Sequence, residues 1–455
     1  LKFQYLLLIL FAFSCSSPAP KRRTDKLSIL QGITNTKEVE FSVVAQKGKV
    51  FKFELRTPED QVINPEETKI VGRPFSDYEV HKILFVRDPK KDYNFFVYEA
   101  DKLIDQRLVG RGQQNRNHLR VAIASCMDDN FQDKFRIWDE LAKKNPEYVL
   151  LIGDNVYSEK GPGGLGKKLV VDDELLWKRY VDIRLTLPYY FQEKLIPTHG
   201  LWDDHDYGAR DGGADYEYKE QSKEIFETFF AQSLSDDEWF KGFGVGGLLT
   251  LGDFNLYFLD SRFYRSTDKN GAHLGLDQYG WLMSKINEEQ TPSLLIEGDQ
   301  FFGGYHSFDS YEGNHPREFA KFSEDLKKVQ APFVFISGDR HMSEIMQFPR
   351  SLFGKPSFEI TASPIHAKTF PDSQDVNPWR VIAQKKDVSF TMMDNVAKDD
   401  HWFMEVENIG ETGTVYYKRE LAVFIKDLQN NLNEVRKRRS GRRRYRHTRT
   451  RKGRR

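Results

Sequence analysis

Cysteine is nearly absent from these 455 residues: there are two, Cys15 and Cys126. Long apolar runs are missing as well. The one near the amino end, residues 5–13, is far shorter than the roughly 20 apolar residues that cross a bilayer. No period of 20–50 residues is visible, so no repeat array is indicated. Net charge is also lacking, because 68 Lys and Arg balance 68 Asp and Glu. What remains is the profile of a folded chain, 39% apolar and 14% aromatic, with Gly and Pro clusters at irregular intervals. At this length one hydrophobic core is exceeded, and two domains are expected.

The first residues combine Lys2, the apolar run and Ser14-Cys15-Ser16-Ser17. Such a segment reads as an export signal and resembles a bacterial lipoprotein signal cleaved before Cys15, with a lipid on its thiol tying the protein to a membrane of the cell envelope. A plain export signal is the alternative. If Cys15 is lipidated, Cys126 is an unpaired thiol in an oxidising compartment, so burial or metal ligation is expected of it.

The balanced charge hides an asymmetry. Residues 436–455 hold 13 Lys and Arg and no acid, leaving 55 basic against 68 acidic residues elsewhere. So dense a block of one sign reads as a disordered arm. Its partners would be anionic lipid, polysaccharide or nucleic acid; the plainer reading is a solvated tail offsetting an acidic body.

Between these ends the pattern changes once. Residues 39–44, 50–55, 81–86 and 93–99 are short β-type runs separated by turn clusters, which predicts a small antiparallel sandwich over residues 27–117. From residue 118 strands alternate with helices, predicting an α/β domain over residues 118–428. Strands are expected at 118–124, 148–152, 196–201, 248–251, 256–259, 293–297, 333–337 and 358–362, and helices at 133–144, 172–186, 218–230, 278–287 and 318–329. Residues 1–15 are then the export segment, 16–26 a linker and 429–455 the basic tail.

The polar motifs fall just past the carboxyl ends of these strands, where α/β sheets build their sites. Cys126 follows the first, Asp154 the second, Asp203 and Asp204 the third, Asp299 the strand at 293–297, and Asp339 the strand at 333–337. A thiolate, a phenol, carboxylates and a histidine arranged in this way predict a two-metal site with a softer and a harder half. Asp154 and Tyr157 share one loop, so both reach one ion while Asp154 also bridges to a second. A phenolate suits Fe³⁺, and Asp203, Asp204 and Asp206 suit Ca²⁺. In Gly338-Asp339-Arg340-His341, persistent strand alternation would point Asp339 and His341 the same way.

Together, Ser125-Cys126, Gly153-Asp154 with Tyr157, the run Trp202-Asp203-Asp204-His205-Asp206-Tyr207-Gly208, Leu259-Asp260-Ser261-Arg262 and Ser337-Gly338-Asp339-Arg340-His341 resemble the PhoD-type alkaline phosphatases, a branch of the calcineurin-like metallophosphoesterases. The likeness spans about residues 27–425. It implies an exported phosphomonoesterase or phosphodiesterase with a four-layer α-β-β-α catalytic domain behind a small antiparallel β-sandwich, using Fe³⁺ and Ca²⁺. By position, Cys126, Tyr157 and His341 would bind iron, Asp154 would bridge, and Asp204 and Asp339 would bind calcium. Asp299 stands where the family pattern has Asn. Two such metals would hold a bridging oxo or hydroxo group and clamp the phosphoryl oxygens of a phosphate ester. His205 is placed to protonate the leaving oxygen. Arg210, Arg262 and Arg340 are candidates for holding phosphate, with structural ion pairs as the competing use.

Other chemistries fit less well. Gly161-Pro162-Gly163-Gly164-Leu165-Gly166-Lys167-Lys168 imitates a P-loop but has Lys168 where Mg²⁺ needs a hydroxyl, and Pro162 lacks an amide donor. Ser125, Ser337 and Ser363 sit in no Gly-x-Ser-x-Gly elbow. Phe301, Phe302, Tyr305, Tyr207, Tyr216 and Tyr218 are candidate walls for a substrate cleft, core packing being the alternative. The rival functions are a non-catalytic, polyanion-binding envelope lipoprotein and a two-metal hydrolase using Zn²⁺ or Mn²⁺.

Overall fold

A computed structural model describes residues 23, 26–32, 37–131, 134–160, 170–232, 239–241, 243–288, 291–371, 376–398 and 401–424. The segment read as an export signal, with Cys15, most of the expected linker, the loop Gly161 to Lys168 and the basic tail lie outside the described residues. Among the described residues no helix is long and apolar enough to cross a membrane.

The fold is mixed α/β, built from four sheets and a smaller complement of helices. Two four-stranded antiparallel sheets come first: Ser28–Gln31, Glu38–Gln46, Tyr78–Val86 and Glu67–Gly72 form one, and Val62–Ile63, Phe51–Arg56, Asn94–Glu99 and Lys102–Leu108 the other. Their shared core holds Phe41, Phe53, Leu55, Ile83, Phe85, Phe95 and Val97. Strand Glu38–Gln46 is buried on both faces, and its period of two explains how. Val39, Phe41 and Val43 enter that core. Glu40, Ser42 and Val44 face the rest of the molecule: Ser42 Oγ donates to the Thr228 carbonyl, and Val44 joins the main core. Arg184, on helix Asp173–Thr186, reaches the same face. It donates to Ser42 Oγ at 3.2 Å, to the Ser42 carbonyl at 2.9 Å, to Ser28 Oγ at 3.1 Å and to the Phe229 carbonyl at 2.5 Å.

A six-stranded sheet runs in the order Thr198–Leu201, Tyr148–Ile152, His118–Ala124, Ser389–Lys398, His401–Gly410, Val415–Phe424. Its first three strands are parallel, and Tyr148–Ile152 is buried throughout, as a central parallel strand must be. An eight-stranded sheet orders Trp239–Lys241, Gly247–Leu251, Phe254–Phe258, Ser293–Ile296, Phe333–Ser337, Ser357–Thr361, Ser343–Phe348, Arg380–Gln384, with four consecutive parallel strands from Phe254–Phe258 to Ser357–Thr361. One apolar cluster joins the two large sheets through Val121, Leu150, Ile152, Leu256, Phe258, Ile296 and Ile336. On the other face of the larger sheet, Tyr257, Leu295, Phe333 and Phe335 meet helices Leu276–Glu288 and Pro316–Leu326.

Two expectations need correction. The helix predicted at residues 133–144 begins only at Ile137, because Lys134 has a left-handed φ of 73° that no helical turn accommodates. Three ten-residue antiparallel strands from Ser389 to Phe424 were not anticipated. Their polar side chains mask the alternation, and two of these, Asn395 and Asn408, are buried with amides bonded to the Leu119 carbonyl and to Ser389 Oγ.

Candidate metal centre

Four of the parallel strands, three in the smaller of the two large sheets and one in the larger, deliver their loops to one place. Cys126 lies two residues beyond His118–Ala124, Asp154 two beyond Tyr148–Ile152, Asp203 and Asp204 follow Thr198–Leu201, and Asp339 and His341 follow Phe333–Ser337. Glycines allow the loops to approach. A Cβ on Gly153, whose φ is 95°, would meet the Asp203 Cβ at 2.7 Å, and one on Gly338 would meet the Ile152 carbonyl oxygen at 2.8 Å. Cys126, Asp154, Asp339 and His341 all adopt left-handed φ values, between 50° and 61°. Non-glycine residues seldom hold that conformation, and its concentration here marks backbone bent to aim side chains. The strand alternation expected for Asp339 and His341 therefore does not exist: the strand ends at Ser337, and two left-handed residues turn both side chains inward.

Among the described residues, ligand-type atoms come within 4.8 Å of one another in three groups: Cys126, Asp154 and His341; Asp154, Asp204 and His205; Asp154, Asp203 and Asp339. Asp154 belongs to all three. Tyr157 Oη stands 2.9 Å from His341 Nε2 and 3.3 Å from Asp154 Oδ2. His341 Nδ1 donates to the Lys368 carbonyl, so its Nε2 lone pair faces the group, the arrangement that orients a metal-binding imidazole. Cys126 Sγ is buried, 3.0 Å from Ser363 Oγ and 3.5 Å from Asp154 Oδ2.

The donor set fits cations. Asp154 Oδ1, Asp203 Oδ2 and Asp204 Oδ1 are buried carboxylate oxygens with no hydrogen-bond partner, a state that costs free energy unless a cation takes up the lone pairs. Burial pushes the Asp154 and Asp203 carboxyls well above the ordinary range, and pushes the Cys126 thiol and Tyr157 phenol up too. Bound cations reverse that pressure. Asp204 behaves differently: burial opposes its ionisation, but His205, Arg262 and the Asp211 amide together hold its carboxyl below the usual range. For His205, burial disfavours the charged ring, yet Asp204, Asp154 and Glu159 outweigh it and raise its pKa well above the ordinary value. His205 Nδ1 lies 3.0 Å from Glu159 Oε1.

Several expected residues are employed otherwise. Arg262 is buried and gives its guanidinium to three carboxylates: Nε donates to Asp203 Oδ1 at 2.7 Å, Nη1 to Asp309 Oδ2 at 2.8 Å, and Nη2 to Asp299 Oδ1. Its donors are committed, so it holds Asp203 rather than phosphate. Asp299 gives its other oxygen to Arg265 Nη1 at 3.1 Å and stands outside the three groups. Asp206 is also structural: its carboxylate accepts from the Asp203 and Asn155 amides, capping the short helix Asp204–Tyr207. Phe301, Phe302, Tyr207 and Tyr216 pack in the core.

Beside the groups opens a cavity of about 380 Å³, lined by Tyr157, Glu159, Lys160, His205, Arg210, Phe308, Asp339, Arg340, His341 and Phe370. Arg210 and Arg340 thus both face this cavity beside the ligand groups. Sequence reasoning missed Glu159, Phe308 and Phe370. Glu159 had a signal, since it lies two residues past Tyr157 on a ligand loop; the two phenylalanines had none. No family model matches the chain, and no curated protein matches it.

Proposed function

We propose that the protein is an exported phosphoric ester hydrolase of the PhoD-type metallophosphoesterase class, acting on monoesters or diesters in the bacterial cell envelope. The observation that carries this reading is the convergence of three candidate ligand groups on Asp154, with unpartnered oxygens on Asp154, Asp203 and Asp204, beside a cavity bearing His205, Arg210 and Arg340. The same reading takes the two large sheets and their flanking helices as the four-layer α-β-β-α domain, and residues 27–117 as the preceding sandwich. The apolar cluster common to both sheets supports it.

Cys126, Tyr157, Asp154 and His341 would hold Fe³⁺, and Asp154, Asp203, Asp204 and Asp339 would hold Ca²⁺. Zn²⁺ or Mn²⁺ is the alternative. Such a cation pair, when bound, supplies Lewis acidity at the phosphoryl group and activation of the attacking water. The chain's own residues do the rest. Arg210 and Arg340 draw the phosphate into the cavity and fix it by charge-assisted contacts. His205, its ring steadied by Glu159, gives a proton to the departing alkoxide. Arg262 keeps Asp203 aimed by holding one of its oxygens.

The test pairs an aryl phosphate monoester with a bis-aryl diester and measures metal content on the same preparation. Hydrolysis of at least one ester is expected, lost in Asp154→Asn, with a visible absorption band that disappears in Tyr157→Phe. No hydrolysis of either ester after loading with iron and calcium, or with zinc or manganese, would sink the reading.

A further inference from the structure

The cavity beside the metal-ligand groups has a charged floor and an aromatic mouth. Phe308 is 55% exposed and Phe370 51% exposed, although nearly all other phenylalanines of the surrounding core are buried. Scattered exposed apolar residues are ordinary, but two on one cavity, over a polar site, form a surface without a partner. Both rings are held in place. The Arg340 guanidinium lies 4.5 Å above the Phe308 ring, and the His341 ring lies 5.2 Å from that of Phe370 at an interplanar angle of 33°. Tyr157 continues the wall, with its ring centroid 4.3 Å from that of His205. A phosphoryl group drawn to Arg210 and Arg340 would therefore carry its organic substituent against Phe308 and Phe370, which line the same cavity. About 380 Å³ is room for a phosphoryl group together with a ring system.

We propose that Phe308 and Phe370 form a clamp for the organic group of the substrate, and that the preferred substrates are phosphate esters of apolar, ring-bearing alcohols rather than of small polyols. This rests on the phosphoesterase reading for its reaction, but the clamp is a binding property and is tested as one. Polyols gain nothing from an apolar wall, whereas a ring removed from water between two phenylalanines gains affinity in proportion to the area buried.

The probes are methylphosphonate and 1-naphthylmethylphosphonate, which carry the same phosphoryl charge and no cleavable ester, titrated calorimetrically into the full chain. The naphthyl compound is expected to bind about tenfold or more tightly than the methyl compound. That ratio should fall toward one in the double variant Phe308→Ala/Phe370→Ala and persist in Phe370→Trp, which keeps an aromatic wall. Equal affinities in the wild type, or an undiminished ratio in the double alanine variant, would overturn the clamp. A naphthyl preference in a protein that hydrolyses no ester supports the clamp and removes the phosphoesterase reading; hydrolysis without that preference does the reverse.

Discussion

Arg262 illustrates how one buried side chain is spent. Its guanidinium satisfies Asp203, Asp299 and Asp309 together, and Arg265 adds a second cation to Asp299 and Asp309. Removing it leaves three buried carboxylates short of positive charge. Arg262→Met is therefore expected to lower stability by about 3–5 kcal/mol, read as a shift in the urea midpoint. Arg262→Lys should recover little, because an ammonium cannot supply the forked contacts made here. Had Arg262 contacted substrate, the Met variant would unfold like the wild type and show only a raised KM. Residue type alone could not separate these uses: an arginine three residues past a strand suits both, and the choice depends on where Asp299 and Asp309 lie.

The loops that carry the ligands depend on their glycines. Gly338 stands where a Cβ would press on the Ile152 carbonyl, at the end of a strand of the neighbouring sheet, and on Ser125 Oγ at 2.9 Å, in the loop just past the next strand. Gly338→Ala is expected to push apart the loops carrying Asp339 and Cys126, giving a folded protein with normal far-UV circular dichroism whose bound metal drops several-fold on elemental analysis. At this scale much was legible in the sequence. Runs such as Tyr148–Ile152 and Phe333 to Ile336 are continuously apolar because they are central strands buried on both faces, so strand positions, and hence the loops after them, could be read directly. The convergence of Cys126, Asp154, Asp203, Asp204, Asp339 and His341 followed from those positions. The way Asp339 and His341 turn inward did not, because a left-handed backbone leaves no trace in residue type when the residue is not glycine. The strands from Ser389 to Phe424 escaped for a related reason: buried asparagines inside them are satisfied by partners distant in sequence, which no local pattern records.

Across the molecule, a buried neutral histidine makes one contribution to how stability responds to acid. His199, in strand Thr198–Leu201, packs its ring 4.2 Å from Phe258 of the other large sheet, and burial pulls its pKa down to about 3. In the unfolded chain the value is about 6.5. As pH falls below 6.5 the unfolded chain takes up a proton that the folded one refuses. Stability attributable to this group is present above 6.5 and declines by about 1.4 kcal/mol per pH unit toward pH 3. Between pH 6.5 and 5 the wild type should lose about 2 kcal/mol more than His199→Gln, measured as the change in urea midpoint for each protein. Arg184 acts on the same scale by another route. Its bonds to Ser28 and Ser42 bridge 156 and 142 positions of sequence, and the carbonyl of Phe229 completes its set. During synthesis the first strands therefore emerge long before the side chain that fastens them. Until Phe229 has left the ribosome, the sheet carrying Ser28 and Ser42 lacks its full anchor, and the Ser42 face of strand Glu38–Gln46 stays uncovered.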